Sequence, residues 1–264
     1  MAFDERILEI VLKARDEASA EIQKVGKSAG GVANLLASSF KNAAIVSGAA
    51  LAGLTIEAVR AISAFEESEK TLAQLDAVLR STSGAAGVTR QEVIDLASSL
   101  EQMTVYSDEA VIGAENMLLT FTSISKEVFP DATKTVLDMS TALGQDLKNS
   151  SIQLGKALND PITGVTALRR VGVQFNDQQQ EQIKTLVESG KLLDAQKLIL
   201  KELQIEFGGS AEAAGKTFGG QLSILKNTIN NLEEALGKLI VDKLKPFIGA
   251  LTEVATDLQG VIAG

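Results

Sequence analysis

Proline occurs only at Pro130, Pro161 and Pro246, so everything before Pro130 is free of the strongest helix breaker. Such a chain folds into helices unless another pattern competes. Stretches of alternating apolar and polar residues are short and scattered, which argues against strands. The apolar residues, 45% of the chain, are mostly Ala, Leu, Ile and Val; aromatic residues make up 4% and Trp is absent. With few bulky anchors, close helix-on-helix contact is the natural way to build a core. The expected fold is all-α, with long amphipathic helices flanking a compact multi-helix domain.

The residues that are missing exclude chemistry. The chain has no Cys and no His, which removes disulfides, thiolate nucleophiles, imidazole bases, HExxH zinc sites and Ser-His-Asp triads together. A paired-carboxylate or Ser-Lys hydrolase stays open on composition, but no local signature points to one. No catalytic residue, cofactor or metal is therefore expected. The net charge of -9, with no Lys/Arg cluster, disfavours a nucleic-acid partner. The charged, amphipathic start lacks the form of a secretory signal, so synthesis in the cytoplasm is expected.

Along the chain, Ile7, Val11, Ala14, Ala18, Ile22 and Val25 fall on one helical face, open either to packing on its own chain or to self-association. Between residues 28 and 56 the only charge is Lys41. Ile45, Val46, Gly48, Leu51, Gly53 and Leu54 in this stretch are candidates for contact with a membrane or with other copies. The uncharged window is shorter than the roughly 20 residues a spanning helix needs, and its glycines also suit close helix contact.

Three regions are expected: residues 1–80, with long helices and the Gly/Ala-rich stretch; residues 89–209, a compact helical domain; and residues 210–264, apolar helices broken near Pro246. The Ser- and Gly-rich residues 81–87 mark a loop and are the clearest candidate boundary. Thr89 and Glu92 have capping-box spacing, and Ser107 and Asn176 are placed to cap later helices. Pro130 opens a helix and Gly144 closes it. Asp160 caps another with Pro161 at its first position, and Gly172 stops that one.

Residues 137–175 resemble a block found in tail tape-measure proteins of long-tailed bacteriophages and prophages. The likeness rests on Leu154, Gly155, Lys156, Ala157 and Leu158, then Asp160 and Pro161, Gly164, Ala167, Leu168 and Gly172. It continues less sharply to Phe207, Gly208 and Gly209, and the flanking apolar segments fit more loosely. By residue type and spacing, Leu154, Gly155, Leu158, Asp160, Pro161, Gly164, Leu168 and Gly172 are turn and packing residues.

The resemblance implies a structural protein inside the tail tube of the virion, made in the bacterial cytoplasm, whose length sets where the tube ends and which is ejected on infection. It implies tail-tube, tail-tip or baseplate proteins, tail assembly chaperones and further copies of the chain as partners. Members are usually longer, so the chain is expected to be either the N-terminal part of a longer protein or the ruler of a short tail. Two other readings compete: a membrane-active helical protein that inserts through the Gly/Ala-rich segment, and a tail protein associated with a cell-wall hydrolase.

Overall fold

The structure, a computed structural model, describes residues 48–263, and every regular element among them is helical. The amphipathic face of residues 4–25 and the candidate contacts Ile45 and Val46 lie outside the described residues. The helices are α1 (Gly48–Ser81), α2 (Arg90–Glu101), α3 (Asp108–Leu119), α4 (Phe129–Leu143), α5 (Leu147–Asn159) and α6 (Pro161–Leu168). A 3-10 turn (Arg169–Val171) precedes α7 (Asp177–Glu188), α8 (Leu192–Phe207), α9 (Ser210–Lys216) and α10 (Phe218–Ala263). The fold is all-α. Chain contacts divide it into two units, Met1–Glu57 and Ala58–Gly264, and the packed helical body belongs to the second.

Local chemistry sets most helix starts. The Thr89 amide donates to Glu92 Oε2 at 2.8 Å while the Glu92 amide donates to Thr89 Oγ1, a complete capping box. Ser107 caps α3, and Asn176 forms a second box with Gln179 on α7. Pro130 sits in the first turn of α4, where its missing N–H leaves no intrahelical bond unmade. Gly144 ends that helix in the left-handed region, at φ 62°.

The core gathers around α4, which contacts α3, α5, α8 and α9. Its Ala132, Val136, Leu137 and Met139 are fully buried, as are Leu118, Leu154, Leu158 and Ile199 on the neighbours. Each of the Val, Leu, Ile and Met side chains among them contributes about 1.5–3 kcal/mol relative to leaving it in water. Leu75 of α1 belongs to the same core, so the turn over residues 82–87 joins two helices of one compact unit.

The C-terminal region differs from the expected pair of helices meeting near Pro246: α10 is a single helix from Phe218 to Ala263, preceded by the short α9. A proline inside a helix removes one N–H and leaves one carbonyl a turn earlier without its partner. In a long helix, the remaining turns keep their bonds on both sides of that gap.

Two stripes run along α10. One, built from small and polar residues, faces the body: Asn227 and Gly237 are buried and Asn231 is half-buried. A Cβ at Gly237 would collide with the Ala61 carbonyl oxygen, so glycine lets α10 lie directly against α1. The other stripe is aliphatic and faces outward, with Leu222, Leu225, Ile229, Leu232, Leu236 and Leu239 each 36–51% exposed.

Candidate functional site

The residues singled out by motif converge on the α5–α6 hairpin. Asp160 ends α5 and begins α6; its Oδ1 accepts from the Thr163 amide at 3.3 Å. Pro161, fixed near a helical φ, occupies the first turn of α6. The two helices then fold back tightly enough that a Cβ at Gly164 would overlap Ala157 Cα and the Lys156 carbonyl oxygen. Only glycine permits that approach.

Leu154, Leu158 and Leu168 are fully buried. Gly155 leaves room for the Phe121 ring, and Gly172, at φ 97°, closes the 3-10 turn. Each of these motif positions therefore has a packing or turn role. Gly48, Leu51, Gly53 and Leu54 fall on the first turns of α1. Among the described residues no helix is long and apolar enough to cross a membrane.

Long-range polar bonds lock the hairpin to its neighbours. Gln196 on α8 is buried, and its Nε2 donates to the Leu158 carbonyl at 2.9 Å and to the Ser123 carbonyl at 2.7 Å. The Ser123 amide in turn donates to Asn159 Oδ1 at 3.2 Å. On the far side of α4, the buried Asp138 carboxylate accepts from the Gly209 and Ala211 amides at 3.1 and 2.9 Å, pinning the turn between α8 and α9. None of these bonds is visible in local sequence pattern. Gln196 stood only within the looser family likeness.

Among the described residues, two carboxyl groups have pKa values raised far above the ordinary carboxylate range. Glu115 on α3 is fully buried, and neither of its oxygens has a hydrogen-bond partner. The nearby Thr133 hydroxyl donates to the Phe129 carbonyl at 3.1 Å. Burial raises the Glu115 acid to about 9, so it is neutral at pH 7. The spacing of Val111, Glu115 and Leu118, four then three, was the sequence signal that Glu115 shares the buried face.

Asp108 lies where α2, α3 and α10 meet. Burial first, then the Glu109, Glu101 and Glu234 carboxylates, raise it to about 7. Glu101 ties the junction together, accepting from the Asp108 amide at 3.3 Å and from Asn231 Nδ2 of α10 at 2.8 Å.

Two of the open hollows among the described residues lie between helices. One, of about 350 Å³, lies between α6 and α7 and is lined by Ile162, Val165, Asp177, Glu181 and Lys184 among others. The other, of about 290 Å³, lies where α1, α3 and α10 meet and has Arg60, Ser63, Glu67, Ser107 and Glu233 on its walls. No group of three or more acidic side chains among the described residues is arranged to hold a metal ion.

Capped short helices, backbone contact through glycine and buried polar clasps define an all-helical packing protein. The family model described as prophage tail length tape measure protein matches residues 17–184, well over half of the chain, and the chain belongs to that family. That span contains the whole α5–α6 hairpin and stops within α7. No curated protein and no solved structure matches the chain.

Proposed function

We propose that this chain is a structural component of a phage tail, lying within the tail tube, where its extent along the axis helps to set tube length, and leaving the tube at infection. Membership of the tape-measure family carries this reading. Helix length supports it: at about 1.5 Å per residue, the 46 residues of α10 extend roughly 70 Å and the 34 of α1 roughly 50 Å. The net charge of -9 suits a protein that shares a channel with DNA without gripping it.

Its proposed partners are tail-tube subunits, tail-tip or baseplate proteins, assembly chaperones and further copies of the chain. Its role is scaffolding, with no catalytic step. In-frame deletion of residues 222–242 in the phage is the test. Electron micrographs should show tails shorter by the helical rise of the missing residues, about 30 Å. Tails of unchanged length would remove the ruler role from α10.

A further inference from the structure

The outward stripe of α10 has a geometry more specific than exposed apolar surface. Leu222, Leu225, Ile229, Leu232, Leu236 and Leu239 recur at alternating spacings of three and four, and Phe218, 74% exposed, extends the pattern by one position toward the N-terminus. A 3.5-residue repeat is the signature of a coiled-coil seam, whereas one helix lying on a globular body follows the 3.6 period with a wider face. The body-facing side of α10 is already occupied through Asn227, Asn231 and Gly237. The seam is also bounded, because the next two positions in the repeat are Lys243 and Pro246.

We infer that this seam is a self-association surface that pairs α10 with α10 of a second copy in antiparallel orientation. Charge complementarity identifies both the occupant and the direction. Lys226 and Glu233 each follow a seam leucine, Leu225 and Leu232, and so flank the contact, Glu233 at the edge where it also lines the hollow beside Arg60. Neither takes part in an ion pair among the described residues.

When two copies run antiparallel about a twofold axis between residues 230 and 231, Leu222 stacks on the partner's Leu239, Leu225 on the partner's Leu236 and Ile229 on the partner's Leu232. All six aliphatic positions are then matched. The same register sets Lys226 against the partner's Glu233 and Glu233 against the partner's Lys226, giving two ion pairs by symmetry. A parallel pair in register sets Lys226 against the partner's Gln221 and Glu233 against the partner's Thr228, which leaves both charges unmatched.

A seam of this length is short for isolated helices. Here the helix is already held on the body by Asn231 and Gly237, so pairing does not have to bear the cost of ordering it. Copies aligned in one direction along a tube share polarity, so the antiparallel pair belongs to the free protein before assembly. The inference is independent of the ruler reading, since a monomeric free chain would leave the tail-length experiment untouched.

The absence of cysteine makes a direct test simple. Leu222→Cys and Leu239→Cys are made separately in the full chain, mixed, and oxidised or treated with a short thiol cross-linker. Antiparallel pairing yields the mixed 222–239 dimer and little of either self-linked dimer. Sedimentation of the unmodified chain should show a monomer–dimer equilibrium that Lys226→Glu weakens roughly tenfold and the Lys226→Glu/Glu233→Lys exchange restores. Leu225→Lys with Leu236→Lys should give a monomer of unchanged helicity, because both positions face solvent in the single chain. A chain that stays monomeric at every concentration, or single-cysteine variants that each link only to themselves, would overturn the inference.

Discussion

The α5–α6 hairpin and α10 are both rich in small and aliphatic residues, yet they use them in opposite ways. In the hairpin, leucines point into the core and glycine brings two backbones together within one chain. In α10, glycine and asparagine face the body and the leucines are left outside. The hairpin completes its packing within its own chain, whereas α10 keeps a surface in reserve for another helix. Hydrophobic content therefore does not identify the inward face when close backbone approach and a polar clasp can hold a helix instead.

The sharpest way to break this contrast is at Gly164. Gly164→Leu forces a side chain into Ala157 and the Lys156 carbonyl, which must shift because they are backbone. The expected loss is roughly 3 kcal/mol or more, the upper part of the overpacking range or beyond it. Denaturant unfolding should show a collapsed midpoint; near-native stability would mean that the two helices are free to separate.

Next in size is a matched pair of truncations. Leu158→Ala removes a fully buried side chain and should cost about 2–5 kcal/mol. Leu232→Ala removes one that is 38% exposed in the single chain, and in dilute protein it should cost well under half as much. Equal losses in the monomer would show that the outward stripe packs within its own chain.

Much of this division could be read from sequence. Thr89, Ser107, Asn176 and Asp160 act as caps because capping depends on residues three positions apart. The hairpin turn followed for the same local reason. Gln196 was hidden because its acceptors, Ser123 and Leu158, are 73 and 38 positions away. The orientation of α10 was hidden too. Its period defines a leucine face, but the choice of inward face depends on Ala61 and Glu101, which only the tertiary fold brings near. At Pro246 local propensity suggested a break, and one missing hydrogen bond was not enough to end a long helix.

The body also carries a pH-dependent cost that sharpens the comparison. Glu115 has a folded pKa of about 9 against an unfolded value of 4.5. Its contribution is most favourable below pH 4.5 and is progressively lost as pH rises toward 9. At pH 7 the cost of keeping it protonated is on the order of 3 kcal/mol. Glu115→Gln should recover about 2–3 kcal/mol at pH 7 and flatten the stability profile between pH 5 and 9. A variant that is less stable at pH 7 would indicate that the carboxyl has a partner in solution.

The smallest expected effect lies where α10 meets α2 and α3. Asp108 has a folded pKa of about 7 against 3.8 unfolded, so its contribution is intact below about pH 4 and is gone once pH exceeds 7. Asp108 is only partly shielded from solvent, so the effect is local. Charging it beside Glu101 and Glu234 adds repulsion where Asn231 of α10 is clasped. After correction for intrinsic exchange, amide protection around residues 227–237 should fall between pH 5 and 7.5 while that of α5 and α6 changes less. Asp108→Asn should abolish that local fall without altering the Glu115 profile. If α10 and the hairpin lose protection together, the helix is not a separately docked element, and the contrast between a finished hairpin and a helix held in reserve fails.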